Sequence, residues 1–223
     1  MAERNTYYAN RLFTGSKWLN QYVVVTERGA IIDIVPATAI HEPYTAQFSL
    51  MAPAFMDIQI YGAYDRLLAV YPEVTSLERL YEYCKKGGAA YFQPTVATNS
   101  YDVFKKCIDA VRAYRQMGGK GCIGLHIEGP WINPIKRGAH QEQFIHSPTL
   151  EQARELLEYG KGVITMITLA PEVCSAEVLS LIRSYGVVIS AGHSNATYTE
   201  GIEAFKNGIG AATHLFNAMS PLH

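Results

Sequence analysis

From residue 54 onward, six short apolar runs alternate with amphipathic stretches. This alternation constrains the fold more than any other feature of the chain. The runs cover residues 55–59, 91–95, 122–128, 163–169, 187–191 and 211–214. Strands alternating with helices imply a parallel sheet with right-handed crossovers. The helix signals agree. Thr75 with Glu78, Thr149 with Gln152 and Thr197 with Glu200 have the spacing of capping boxes. Ser175 opens a further helix, and residues 100–116 place Val103, Cys107 and Val111 at i, i+4 and i+8. Gly87, Gly118, Gly186 and Gly208 supply stops. An open doubly wound sheet and a (β/α)8 barrel both fit this pattern. A barrel needs two more strands, and six alone leave two unpaired edges. The expectation is an α/β fold, a (β/α)8 barrel of the TIM type that is incomplete in this chain.

The first fifty residues differ. Residues 21–26 and 30–35 are β-branched runs joined by a hairpin turn at Glu27, Arg28 and Gly29, and residues 48–51 suggest another strand. The expected division is a small β-sandwich portion over residues 1–52 and a barrel portion, its first six strands, over residues 53–223.

A formal net charge of −1 gives no global field for nucleic acid, so an anionic ligand must be caught locally. No run approaches the roughly 18 apolar residues of a membrane span, and the start lacks the apolar core of a secretory signal. Cys84, Cys107, Cys122 and Cys174 show no C-x-x-C spacing, which suits reduced thiols in a cytoplasmic protein.

In a barrel, chemistry gathers at the C-terminal ends of the strands. Asp57 and Gln59 end the first run, Glu128 the third and His214 the sixth, while His193 follows the fifth. Two histidines and a carboxylate suit a divalent cation with one position left open. A lone strand-end histidine is also often a hydrogen-bonded core residue, and spacing alone leaves both readings open. A Glu between Ile127 and Gly129 is costly to bury without a cation. His126 is expected to pack behind Glu128, His140 to contact the mouth or solvent, and His41, His146 and His223 to lie at the surface.

The motifs HIEGPWINP (126–134), KRGAH (136–140), GHSNAT (192–197), THLFNAMSPLH (213–223) and PAFMDIQIYG (53–62) occur in this order. Together they resemble the sequence blocks of the N-acetylglucosamine-6-phosphate deacetylases, within the amidohydrolase superfamily. The resemblance implies hydrolysis of an N-acetyl amide on a phosphorylated amino sugar, by a cytoplasmic homodimer with no nucleic-acid or membrane partner. It implies one divalent ion, zinc first and iron or another as the alternative, held by Glu128, His193 and His214. It implies that Ala139, His140 and Gln59 contact substrate, with His140 suited to hold the amide carbonyl or a sugar hydroxyl. It also implies that the backbone amides of Asn217 and Ala218 help bind phosphate. Many amidohydrolases carry His-x-His on the first strand, where this chain has Asp57-Ile58-Gln59, so the one-metal branch is the nearer likeness. The family's general base, an Asp on a later strand, and an Arg that helps bind phosphate lie beyond residue 223. Ala54 stands where glycine is usual, and Tyr61 where the family often has a smaller polar residue. The rival readings are an amidohydrolase acting on a cyclic amide or peptide, and a truncated or degenerate one that binds metal or sugar phosphate without turnover.

Overall fold

The structure, a computed structural model, describes residues 3–221. His223 therefore lies outside the described residues. Backbone contacts divide the chain between Ala54 and Phe55 into two units.

The first unit is a four-stranded sheet of β1 (Arg4–Phe13), β2 (Trp18–Glu27), β3 (Ala30–Pro36) and β4 (Ala46–Met51), in the order β3-β2-β1-β4. β1 pairs antiparallel with β2 and parallel with β4. The β2–β3 turn needs positive φ at both central residues. Arg28 (52°) and Gly29 (79°) supply it, with Glu27 paired to Ala30 across the turn. Ala9, Leu12 and Val24 form a small core. Among the described residues the unit holds this one sheet. The second layer of the expected β-sandwich is not among them.

The second unit carries β5 (Phe55–Ile60), a short hairpin of β6 (Gly62–Ala63) and β7 (Arg66–Leu67), and then α1 (Val74–Lys86). It continues through β8 (Ala89–Ala97), α2 (Tyr101–Gln116), β9 (Leu125–Glu128), α3 (Leu150–Tyr159) and β10 (Ile164–Leu169). It ends with α4 (Ala176–Ser184), β11 (Val188–Ala191), α5 (Tyr198–Lys206) and β12 (Ala211–Ala212). The large sheet has the order β12-β11-β10-β9-β8-β5 and is parallel throughout. Each strand pairs with the next in sequence, so the order never reverses as it does in a doubly wound sheet. This is the wall of an incomplete barrel.

Capping explains where the helices begin. Thr149 with Gln152 and Thr197 with Glu200 form reciprocal boxes, and Ser100 and Ser175 accept from Val103 N and Val178 N. The expected box at Thr75 and Glu78 does not form. α1 starts two residues earlier, with Glu73 at the cap, and Thr75 Oγ1 donates to the Glu73 carboxylate. α2 buries Phe104, Cys107, Ile108 and Val111, while Val103 is only half-buried. The third and sixth strands are shorter than their apolar runs. Gly121 and Gly124 take positive φ ahead of β9, and Cys122 keeps a lone bridge to Phe92.

The four cysteines are free. Burial pushes the thiols of Cys107 and Cys174 up to about 12, which leaves them protonated and unreactive. Among the described residues, no helix is long and apolar enough to cross a membrane.

Candidate active site

β8, β9 and β10 end at one level, with Ala97 and Thr168 both in register with Glu128. Glu128 is fully buried there. Gly129, at φ 78°, turns the chain away, and a Cβ at this position would overlap the Thr98 hydroxyl. Glu128 Oε1 then lies 3.1 Å from His193 Nε2, 3.1 Å from His214 Nε2 and 3.9 Å from His140 Nε2. Its other oxygen, Oε2, accepts from the Tyr61 hydroxyl.

His193 stands two residues past β11 in a left-handed conformation, φ 50°. Gly192 before it has no room for a side chain, because a Cβ would lie 2.7 Å from Thr168 Cγ2 and 2.9 Å from Thr213 Cβ. The Nδ1–H of His193 donates to the Lys136 carbonyl at 2.9 Å, which leaves Nε2 facing Glu128. His214 stands two residues past β12, also left-handed (φ 54°), with its side chain 37% exposed. The neighbouring Thr213 hydroxyl is held at 2.7 Å by both Thr168 Oγ1 and Ser190 Oγ.

His140 is buried and its ring lies 4.3 Å from that of His193. Its Nδ1 receives the Thr98 backbone N–H at 3.3 Å and faces the Thr98 hydroxyl at 2.7 Å. A nitrogen that accepts an N–H has its lone pair occupied, so the proton is assigned to Nε2, which points at the centre. His140 is thus a donor toward the site, whereas His193 presents a lone pair there only when it is neutral. His126 Nε2 pairs with Thr168 Oγ1 at 2.7 Å, and the residue packs behind Glu128 as expected.

The charges follow the geometry. For Glu128, burial pushes the carboxyl up, but hydrogen bonds from His193 and Tyr61 outweigh it and bring the value down to about 2. Burial works against a charged His193, yet its bonds to Glu128 and the Lys136 carbonyl raise it above the usual value. Burial lowers both His126 and His140 to about 4, His140 also under the influence of His193. A carboxylate oxygen shared at 3.1 Å by the Nε2 atoms of His193 and His214 is a donor set suited to a divalent cation. Glu128, His140 and His193 offer ligand atoms all within 4.8 Å of one another.

A cleft of about 560 Å³ opens over this centre, lined by Tyr61, Thr98, Ala139, His140, His193, His214, Asn217 and Ala218 among others. Gln59 stands behind Tyr61 and donates to its hydroxyl at 2.9 Å. Asp57 accepts the Gln59 backbone N–H at 3.1 Å and stays away from the centre. The N–H groups of Asn217 and Ala218 are engaged within their own turn, by the His214 carbonyl at 2.6 Å and Asn217 Oδ1 at 2.9 Å. His146, expected at the surface, is half-buried against Tyr101.

Two residues that the sequence analysis did not single out help build the site. Thr98 fixes the His140 tautomer. Glu172, just past β10, accepts from Ser194 Oγ at 2.7 Å, Asn195 N at 2.6 Å and Asn133 Nδ2 at 3.1 Å, and so ties the His193 loop to the loop after β9. Its place past the end of the fourth strand was a signal of the same kind that marked His193.

No family model matches the chain. An N-acetylglucosamine-6-phosphate deacetylase of Haemophilus influenzae is 31% identical over 214 residues, covering 95% of this chain and 56% of the relative. One of Danio rerio is 36% identical over 182 residues, covering 78% and 45%. The chain belongs to the N-acetylglucosamine-6-phosphate deacetylase family. The crystal structure of the Pasteurella multocida N-acetylglucosamine-6-phosphate deacetylase superposes with a TM-score of 0.87 at 29% identity, over 98% of this chain and 58% of that one. This chain therefore spans about half the length of the deacetylases it matches.

Proposed function

We propose that the whole protein removes acetate from N-acetylglucosamine 6-phosphate with one divalent cation, zinc in the first instance, held by Glu128, His193 and His214. The observation that carries this reading is the sharing of Glu128 Oε1 by two imidazole nitrogens at 3.1 Å each. His140 is left out of the ligand set, although it lies close, because its inward nitrogen bears the proton. The same reading assigns residues 1–52 to a small β-sandwich portion and residues 53–223 to the first six strands of a (β/α)8 barrel, in a cytoplasmic homodimer.

The cation, when bound, supplies Lewis-acid activation of the amide carbonyl and of water. The chain's own residues do the rest. His140 Nε2–H donates to the carbonyl oxygen as negative charge develops there, from a position fixed by Thr98. Glu128, held well below the usual carboxylate range by its hydrogen bonds, stays ionised at neutral pH. Ala139 forms part of the cleft wall on the same loop as His140. The turn at Asn217 and Ala218 receives the phosphate once its two N–H groups leave their internal acceptors, and backbone amides suit that task in a chain without net positive charge. We assign the general base to no residue of this chain.

The test is acetate release from N-acetylglucosamine 6-phosphate by the whole protein, with metal content measured on the same sample and the C4-epimeric sugar as comparison. The expected result is about one cation per chain, with release abolished by a chelator and restored by zinc. Metal-replete protein that releases no acetate from either sugar would overturn the proposal.

A further inference from the structure

Tyr61 is not part of the donor set, yet it governs how Glu128 faces that set. The residue follows β5, and its carbonyl accepts the Leu68 N–H at 2.9 Å, so the β6–β7 hairpin anchors its backbone. Gly62 allows this close return, because a Cβ there would collide with the Arg66 carbonyl. At the other end, the phenol oxygen accepts from Gln59 Nε2 at 2.9 Å and donates its own proton to Glu128 Oε2. With Gln59 as the donor to it, the single phenolic proton is left for the carboxylate.

The two oxygens of Glu128 are thereby given different work. Oε2 belongs to Tyr61, and Oε1 alone faces His193 and His214. Turning the carboxylate so that both oxygens face the imidazoles would break the Tyr61 bond. The carboxylate has no exposed surface, so water does not readily replace that partner. Resting on the reading of Glu128 as a ligand, we propose that Tyr61 is a positioning residue that limits Glu128 to coordination through one oxygen, with Gln59 orienting the phenol. The consequence is chemical. Three donor atoms leave a cation an open position for substrate, and a second carboxylate oxygen would fill it.

The experiment is cobalt(II) loading of the purified protein and of Tyr61→Phe, followed by visible absorption. A rise in coordination number weakens and shifts the cobalt band, so the Tyr61→Phe spectrum is expected to be weaker than the wild-type one at equal metal content. Gln59→Leu, which keeps the phenol but removes its orienting donor, is expected to fall between the two. A Tyr61→Phe spectrum identical to wild type overturns the proposal. So does loss of cobalt from Tyr61→Phe, because a freed Oε2 should add a ligand rather than remove one. Failure of the wild-type protein to bind cobalt is a separate result that sinks the metal reading itself.

Discussion

The Nδ1–H of His193 donates to the carbonyl oxygen of Lys136 at 2.9 Å, and this one bond sets the electrostatics of the centre. With Nδ1 committed as donor, a neutral His193 would point its Nε2 lone pair at Glu128 Oε1, 3.1 Å away. Two lone pairs at that distance need a proton or a cation between them. Without metal, the proton is the available solution, and the raised pKa of His193 is its signature. Metal and proton therefore compete for the same place. Zinc binding at pH 6.5 is expected to release about one proton per site, because the ligand nitrogen must be deprotonated. Calorimetric titration in buffers of different ionisation enthalpy measures this number. Binding without proton release would show that His193 is already neutral, against the geometry described here.

The buried titratable groups also fix how the metal-free protein responds to acid. Glu128 is lowered to about 2 against an ordinary 4.5, so the stability it contributes is present above 4.5 and is lost as pH falls toward 2. His126 and His140 are lowered to about 4 against 6.5. Both are neutral when folded and take up protons more readily when unfolded, so their contribution is present above 6.5 and falls away between 6.5 and 4. His193 works the other way, since a raised pKa stabilises below 6.5 and that contribution disappears as pH rises through the folded value. Two groups outweigh one, and His126, almost wholly buried, alone accounts for on the order of 3 kcal/mol. The urea midpoint of metal-free protein is expected to drop steadily from pH 6.5 to pH 4. A flat midpoint across that range would contradict the burial of these histidines.

Much of this arrangement was legible in the sequence because it depends on periodicity and strand ends. The six apolar runs became the six parallel strands, and Glu128, His193 and His214 meet because each lies at or just past the end of one. What escaped depends on partners distant in sequence or on backbone conformation. Tyr61 reaches a carboxylate 67 residues away, and nothing in its own neighbourhood marks it as a contact. β1 escaped because Asn5, Asn10 and two arginines dilute its apolar pattern, although Ala9 and Leu12 carry its buried face. The last run yields only Ala211 and Ala212 as strand, because His214 turns left-handed to bring its ring to the centre. Thr75 matched a capping pattern that Glu73, two residues earlier, pre-empted. In each case a tertiary contact or cap geometry overrode the local signal.

The hydroxyl chain behind the site makes a separate prediction. His126 Nε2, Thr168 Oγ1, Thr213 Oγ1 and Ser190 Oγ are linked by successive 2.7 Å contacts, all buried. The chain joins β9, β10 and β11 to the residue just before His214, where β12 itself has already ended. Thr168→Val keeps the shape but removes the central hydroxyl, leaving the His126 ring nitrogen without its closest partner. A buried group orphaned in this way costs about 1–3 kcal/mol. The expected result is a lower urea midpoint together with weaker zinc binding, because Thr213 is held only from the β11 side. Unchanged metal affinity in a destabilised variant would confine the chain to a packing role.

His140 tests the division between ligand and donor. If its Nε2–H serves the developing charge on the carbonyl oxygen, a variant that loses this donor in place should keep its cation and lose rate. His140→Leu in the whole protein is expected to retain the wild-type metal content, since Glu128, His193 and His214 remain. Removing one such donor typically lowers kcat about 10²–10³-fold, and the loss should appear in kcat rather than in zinc affinity. Metal analysis and steady-state kinetics on one preparation separate the two effects. If the cation leaves with His140, then the tight grouping of Glu128, His140 and His193 is the true ligand set. The proton assigned to Nε2 from the Thr98 backbone N–H would then have to sit on Nδ1 instead.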